Sequence, residues 1–272
     1  MSERDRIFGN ATPQPQTTKE QSSWEIPHEV IPLPSGGLVY SGKLQDCKEI
    51  MIKAMTSREE DILTSPALMK KGIVINELLK SCIVDKQIDV DNMIIGDRNA
   101  IMIAIRITGY GAEYTAGVGC NQCGHKFSNS FDLSELVIKN LEVEPIEKNK
   151  NEFEFELPRS KKRVTFKLLT GLDEADINVA TERAKKQGAI VENSVTFFLS
   201  KSIVSIDGKT DRSIISSLVQ SMPAADGHAL RKYIQKITPG IDMSVSYTCP
   251  SCDHSNEGVS LPLGAEFFWP SK

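Results

Sequence analysis

The sequence predicts an α+β fold in which one unit of strands and helices occurs twice. Apolar residues alternate along several short segments, as in half-buried strands, and recur every three to four residues along others, as in amphipathic helices. The order of these segments in the first half of the chain returns in the second half. A Cys-x-x-Cys pair follows the last helical segment of each half, at residues 120–123 and at residues 249–252.

Changes in composition divide the chain into segments. Residues 1–24 are rich in Gln, Thr, Ser, Pro and charge without apolar periodicity, which predicts a disordered polar tail. The run WEIPHEVIPLPSGGLVY then combines prolines with apolar residues, which predicts an extended arm that contains a turn. The predicted divisions are the tail (1–24), the extended arm (25–40), a first repeat with its Cys-x-x-Cys pair (41–140), a linker (141–152), and a second repeat with its pair and an aromatic C-terminus (153–272).

The first repeat begins with KEIMIKAM, which alternates like a strand, and TSREEDIL, which has the composition of a helix start. GIVINELLKSCIV and GDRNAIMIAIRITGYG each predict an amphipathic helix, and the second of these leads into the first Cys-x-x-Cys pair. The linker LEVEPIEKNKNE has little apolar content.

The second repeat begins with two alternating segments, FEFELP and RVTFKLL, which predict strands. LTGLDEADINVATERAKKQG predicts a helix closed by Gly188, and ENSVTFFLSKSIV predicts an amphipathic helix. A turn at IDGK and a helix over AADGHALRKYIQKI precede the second Cys-x-x-Cys pair.

Residues of the two halves match at fixed offsets. With an offset of 114, Thr56 and Glu60 correspond to Thr170 and Glu174 near similar strand-to-helix junctions. Such internal similarity predicts a duplicated unit and a pseudo-two-fold arrangement. With an offset of 129, the identical pairs are Asp97 and Asp226, Ala100 and Ala229, Ile105 and Ile234, Gly111 and Gly240, Cys120 and Cys249, Cys123 and Cys252, and His125 and His254.

The paired Cys-x-x-Cys motifs predict a metal site, because the thiols of a chain without a secretory leader stay reduced. A Zn²⁺ ion takes four ligands in a tetrahedron, and each pair supplies two thiolates. If the halves pack about a pseudo-dyad, the two turns meet and one structural zinc ribbon joins the repeats. The predicted cofactor is structural Zn²⁺, with iron also compatible, and the predicted ligands are Cys120, Cys123, Cys249 and Cys252.

Other interpretations of these motifs are weaker. A redox-active Cys-x-x-Cys lies at the start of a helix, whereas strand and turn patterns follow both pairs here. His125 and His254 can replace a thiol or hold a second ion, but four thiolates already complete a closed site, so we expect both side chains outside the coordination sphere.

Charge and hydropathy exclude several classes of function. The net charge of −4 and the pI near 5.7 give no general attraction for phosphate backbones. The basic run at residues 160–163 is more typical of a solvated strand start than of a nucleic-acid patch. No apolar run reaches the ~18 residues of a membrane helix, and MSERDRIFGN lacks the core of a secretory signal. We therefore expect a soluble cytoplasmic protein that binds neither membranes nor nucleic acid.

The acidic clusters do not predict an active site. Thr56 with Glu59, and Thr170 with Asp173, have the spacing of helix caps, where a carboxylate meets free backbone amides. The sequence contains no Gly-rich phosphate loop, no nucleophile elbow and no histidine paired with a plausible nucleophile. We therefore expect the protein not to be an enzyme.

Two apolar segments, the arm and the C-terminal GAEFFWPSK, have little room for a core of their own and are predicted to bind partner proteins. The alternative is that both segments fold back on the parent domain and close it. The predicted partner-binding residues are Trp24, Ile26, Val30, Ile31, Phe267, Phe268 and Trp269.

A set of motifs over residues 30–270 resembles the baseplate hub and hub-assembly proteins of T-even-type contractile-tailed bacteriophages. The most specific motifs are LPSGG at 33–37, the twin acidic helix starts, Ile107 to Gly111, and the ending FFWP at 267–270. The resemblance implies a non-enzymatic hub component or assembly factor that binds other baseplate hub proteins, as a homo- or hetero-oligomer. It implies a location in the host cytoplasm during assembly or in the virion tail baseplate.

A second function remains open from the cysteine motifs, because zinc ribbons are frequent in nucleic-acid machinery. The alternative is therefore a zinc-ribbon adaptor of such machinery, although the acidic pI favours the baseplate interpretation.

Overall fold

The structure is a computed structural model that describes residues 25–186, 194–261 and 265–268. The predicted tail (1–24) and two of the predicted partner-binding residues, Trp24 and Trp269, lie outside the described residues. Helices and short antiparallel sheets share one hydrophobic core, which confirms the α+β class.

Part of the predicted arm is one strand of a hairpin. Strand β1 (His28–Pro32) pairs antiparallel with strand β2 (Glu49–Lys53). Ile31, Ile50 and Ile52 alternate with exposed residues and are at most 5% exposed. This period of two places one face of the hairpin on the core and the other in solvent.

Helices of the first half begin and end at recognisable residues. Thr56 and Glu59 form a capping box at the first helix, as the sequence predicted. The second helix starts with Pro66 and ends at Gly72, whose φ of 69° lies in the left-handed region that favours glycine. The helices are α1 (Ser57–Thr64), α2 (Pro66–Lys71), α3 (Val74–Cys82) and α4 (Ile95–Tyr110).

Helix α4 is the central element of the first half. Its apolar sequence is buried on more than one side, because elements of both halves pack around it. Strands β3 (Glu113–Gly119) and β4 (Lys126–Asp132) follow as a hairpin whose turn carries the first Cys-x-x-Cys pair. The short strand β5 (Ile138–Lys139) then leads into the linker.

The second half contains a three-stranded antiparallel sheet and four helices within the described residues. Ile203 and Val204 were predicted to end a helix, but they belong to the strand Ile203–Ile206, because this segment pairs with the central strand of the sheet. Gly188, predicted to close α5, lies outside the described residues. The elements are β6 (Phe153–Glu156), β7 (Arg163–Phe166), α5 (Gly171–Lys186), α6 (Ser194–Ser202), β8 (Ile203–Ile206), α7 (Arg212–Gln220), α8 (Ala224–Ile237), β9 (Gly240–Ile241), β10 (Ser244–Thr248), β11 (Ser255–Ser260) and a final 3-10 turn (Ala265–Phe268).

Helix α7 was not predicted from the sequence, although its signals are present. The carboxylate of Asp211 accepts hydrogen bonds from the N–H groups of Ser213 and Ile214, which makes Asp211 an N-cap residue. Ile215 and Val219 follow four residues apart and are buried. A capping aspartate before this spacing predicts a helix.

The two halves are joined by backbone contacts around the start of α4. The N–H of Ile95 donates to the carbonyl of Leu169 at 2.9 Å. Strand β5 of the first half pairs with β9 of the second. Gly96 lies so close to the end of α8 that a Cβ there would be 1.8 Å from the carbonyl oxygen of Pro239. The start of α4 therefore fits tightly into the second half.

Candidate metal centre

Each Cys-x-x-Cys pair lies in the turn of a β-hairpin, the first in β3–β4 and the second in β10–β11. In the first turn, the N–H of Cys120 donates to the carbonyl of His125 at 2.9 Å, and the N–H of Gly124 donates to the carbonyl of Cys120 at 3.0 Å. Gly124 has a φ of 73°, which reverses the chain without a Cβ clash. This turn therefore places the sulfur atoms of Cys120 and Cys123 within 4.8 Å of each other.

The second turn has the same hydrogen bonds. The N–H of Cys249 donates to the carbonyl of His254 at 2.9 Å, and the N–H of Asp253 donates to the carbonyl of Cys249 at 3.0 Å. Asp253 takes the left-handed conformation, with a φ of 55°, which Asp tolerates better than most residues.

The four sulfur atoms of the two turns form one cluster. The Sγ atoms of Cys120 and Cys252 are 3.7 Å apart, as are those of Cys123 and Cys249, and all four lie within 4.8 Å of one another. A tetrahedral zinc site with zinc–sulfur bonds of ~2.3 Å has sulfur–sulfur edges of about 3.8 Å. Disulfides need ~2.05 Å, and the cysteines are free. The cluster is therefore compatible with a metal site, and the structure brings together all four predicted ligands.

Backbone amides favour negative charge on the sulfur atoms. The N–H groups of Gln122 and Ser251 each approach the sulfur of the first cysteine of their turn at 3.4 Å. The N–H of Cys123, followed by that of Gln122, lowers the pKa of Cys120 to about 6. The N–H of His254 also lowers the pKa of Cys252, but hydrogen bonds with the surrounding thiols raise it to about 12. Because the sulfur atoms lie close together, ionisation of one thiol makes ionisation of its neighbours harder, so the pKa values of Cys120 and Cys252 shift in opposite directions.

Two residues that the sequence analysis missed hold the turns together. The hydroxyl of Tyr247 donates to the carbonyl of Gly119 at 2.7 Å, across the boundary between the halves. The side-chain oxygen of Asn256, which is 1% exposed, accepts from the N–H of Asn121 at 2.9 Å. Both residues lie close to the second pair in sequence, but nothing in the pattern shows that they reach the other hairpin.

The two histidines lie beside the cluster rather than in it. The cluster of possible metal ligands found in the described part of the chain consists of the four cysteines. The ring of His125 is exposed and stacks on Phe127 at a centroid distance of 5.8 Å. A tetrahedral ion bound by all four thiols would have no open position for water or substrate.

Comparison with known families gives a match over most of the chain. The model of a family described as T4 bacteriophage base plate protein matches residues 33–269, which include both Cys-x-x-Cys pairs. The chain belongs to this family. The resemblance to T-even-type baseplate proteins that the sequence motifs indicated is thereby confirmed at the level of the family. No curated protein and no solved structure gave a significant match.

Membership makes the chain a phage baseplate protein. Glu59 and Asp173 accept hydrogen bonds at helix starts, as predicted. No helix in the described ranges is both long and apolar enough to cross a membrane.

Three of the predicted partner-binding residues are buried within the baseplate protein itself. Ile31, Phe267 and Phe268 are 5%, 1% and 0% exposed, so their side chains are not available on the surface. This burial agrees with the alternative in which the arm and the C-terminus close the parent domain. Ile26 is half-buried, and Val30 is 52% exposed.

Proposed function

We propose that this chain is a non-enzymatic component of the baseplate hub, or a factor that assembles the hub, and that it binds other baseplate proteins. The observation that carries the proposal is the family match across both halves. The described residues contain a thiol cluster suited to structure rather than catalysis. A protein that holds its partners in a fixed arrangement has to be rigid, and a structural site of this kind favours rigidity.

The metal that this site fits best is Zn²⁺, held by Cys120, Cys123, Cys249 and Cys252. Thiolates bind zinc strongly, and zinc carries no redox chemistry that would disturb a structural site. When bound, the ion supplies a cross-link between the halves. The turns, Tyr247 and Asn256 position the sulfur atoms, and burial of Cys120 and Cys249 protects that side of the cluster from water.

We further infer that the two halves arose by duplication. Support comes from contacts that recur at equivalent positions. Lys53, at the end of β2, bonds to Glu59 of the capping box at α1. Lys167, after β7, bonds to Asp173 of the similar pair at α5. Both Lys–acid pairs are six residues apart, and each fixes a helix start to the preceding strand.

A second recurring contact involves the buried aspartates of α4 and α8. Asp97 accepts from the N–H of Ser35, which follows a Leu-Pro pair in the first half. Asp226 accepts from the N–H groups of Arg159 and Ser160, which also follow a Leu-Pro pair. In the first half, Asp97 therefore connects α4 to the loop after β1. In the second half, Asp226 connects α8 to the loop after β6. Duplication explains this agreement more simply than chance.

Native mass spectrometry with and without a chelator tests the metal proposal. We expect one zinc ion per chain, lost together with a fall in melting temperature when the chelator is added. Cys123→Ser should lower zinc affinity strongly, because Cys123 is an exposed ligand whose loss leaves three thiols. The control Cys47→Ser changes a cysteine outside the cluster and should bind zinc normally. A wild-type protein that folds stably without metal and gains nothing from zinc contradicts the proposal.

The assembly role is tested by co-purification of the tagged chain from infected cells. Baseplate proteins should co-purify with it in stable amounts, and nucleic acid should not. Binding to DNA that weakens steeply as salt rises would instead support the nucleic-acid adaptor.

A further inference from the structure

An apolar row crosses the solvent-facing side of the β1–β2 hairpin. Val30 and Met51 are directly opposite each other across the two strands. Val84 lies beside Met51, and its N–H donates to the Met51 carbonyl at 3.1 Å. The three side chains are 52%, 46% and 38% exposed. A contiguous apolar row of this kind on a solvated sheet face indicates an interaction surface.

The same hairpin has a free edge along β1. The N–H of Leu33 donates to the Lys48 carbonyl at 2.7 Å, and the N–H of Ala54 donates to the Pro27 carbonyl at 2.9 Å. Odd-numbered residues of this strand therefore direct their backbone groups toward β2. The backbone groups of His28 and Val30 point the other way, and β1 pairs with no other strand in the described part of the chain.

We propose that β1 is a self-association edge, which pairs antiparallel with β1 of a second copy of this chain about Val30. In this register each Val30 donates its N–H to the other Val30 and accepts in return. The N–H of each His28 donates to the carbonyl of Pro32 in the other copy. Pro32 has no N–H to lose, and its ring is tolerated at an edge. The inference stands independently of the metal and of the proposed hub role.

Self-complementarity of the sheet face favours a second copy over an unrelated strand. The two-fold pairing aligns Val84, Met51 and Val30 with the same residues of the other copy, so that one apolar row crosses the joined sheet. At each end of the pairing His28 lies opposite Pro32 of the other copy, and Glu29 lies opposite Ile31. Antiparallel pairing thus matches apolar with apolar residues and sets no two like charges directly opposite each other.

The corresponding hairpin of the second half lacks this property. Its edge strand β6 carries Glu154 at the centre of the solvent face, opposite Thr165 of β7. Glu154 forms an ion pair with Arg163 at 3.4 Å. A two-fold pairing about Glu154 would place like charges opposite each other, which disfavours association. A hairpin of this type can therefore form without an apolar row on its solvent face like the one at β1.

Sedimentation velocity of the full-length chain, from about 1 to 100 μM, tests the proposal, since edge pairing is expected to be concentration-dependent. We expect the mass to rise from one chain to two. Val30→Glu should weaken self-association at least tenfold, because it sets two carboxylates opposite each other. Glu154→Lys, the control on the other edge strand, should leave the dimer unchanged. Circular dichroism and metal content should match those of the wild type in both variants.

Amide hydrogen exchange provides a second readout in the wild-type protein. The amides of His28 and Val30 should exchange more slowly as the dimer forms, whereas that of Ile31 already bonds to β2 and should not change. If Val30→Glu fails to fold, Met51→Lys tests the same row at a residue outside the pairing edge. A wild-type chain that stays monomeric over this range, or variants that dimerise as the wild type does, would overturn the proposal.

Discussion

At the scale of single residues, Glu59 is a carboxylate whose pKa is shifted strongly by its surroundings. Its side chain is fully buried and accepts hydrogen bonds from Lys53, Thr56 and Ser81. Burial alone raises the pKa of Glu59, but the bonds from Lys53, Ser81 and Thr56 outweigh burial and lower the pKa to about 2. The residue thus joins β2, α1 and α3 through its charge.

This shift predicts how stability depends on pH. The folded pKa of Glu59 lies below the ordinary value of 4.5, so its contribution to the free energy of unfolding is present above about pH 5. The contribution is lost as pH falls from 4.5 toward 2. Glu59→Gln should lower the free energy of unfolding by about 2 kcal/mol at pH 7, because the Lys53 charge is left without its partner.

The measurement is urea denaturation between pH 7 and pH 2. The variant should lose less stability than the wild type as pH falls through this window. Asp61→Asn, at an exposed position of the same helix, is the control and should follow the wild type. Parallel curves for wild type and Glu59→Gln would contradict this account of the shift.

At the scale of elements, Arg106 of α4 holds the final turn of the described chain. Its Nε donates to the carbonyl of Phe267 at 3.2 Å, and its other nitrogens donate to the carbonyls of Gly111 and Glu113 at 2.8 and 3.1 Å. Arg106 is 2% exposed. A buried guanidinium with three carbonyl partners orders the turn Ala265–Phe268 against the first half.

Arg106→Met should therefore loosen this turn. The substitution keeps much of the apolar stem but leaves carbonyls without donors, which costs about 3 kcal/mol. We expect a lower urea midpoint and faster proteolytic removal of the C-terminal residues. Arg58→Met, at an exposed position in the first turn of α1, should change neither quantity. Unchanged proteolysis in Arg106→Met would show that the aromatic side chains alone hold the turn.

Most elements are predictable from local pattern, and the exceptions have physical causes. Strand alternation and caps such as Thr56 with Glu59 depend on neighbouring residues, which the sequence displays directly. Ile203 and Val204 belong to a strand because β7 lies beside them. Phe267 is buried where its ring packs on Tyr114 and its carbonyl accepts from Arg106. Both outcomes depend on residues distant in sequence, which a local pattern does not reveal.

At the scale of the whole molecule, the packing of the two halves depends on a glycine, Gly96, at the start of α4. Gly96 lies against the backbone at the end of α8, where an added Cβ would be 1.8 Å from the Pro239 carbonyl oxygen. Backbone atoms at this distance cannot move aside as a flexible side chain can. The contact therefore requires glycine at this position.

Gly96→Ala should separate the two halves and lower the free energy of unfolding by about 2 to 3 kcal/mol, although alanine is the better helix former. Thermal unfolding by calorimetry provides the measurement. Gly117→Ala is the matched control, because no heavy atom lies within 4 Å of a Cβ built on Gly117. A Gly96→Ala protein as stable as the wild type would mean that the halves tolerate a wider separation.

The ligand set of the candidate metal centre could be predicted because the Cys-x-x-Cys spacing fixes the local geometry of each turn. The bracing contacts of Tyr247 and Asn256 could not, because each connects hairpins from different halves. Whether Phe267 and Phe268 are buried could not be predicted either, because their burial involves residues of the first half such as Arg106.

The sulfur cluster has a consequence for synthesis of the chain. Cys123 and Cys249 are 126 residues apart, so the ribosome makes the first pair long before the second. A nascent chain therefore carries a half-complete ligand set, and closing so long a loop is slow. The first hairpin cannot pack against the second until the second has been made, and until then the thiols of Cys120 and Cys123 remain open to the wrong metal or to oxidants.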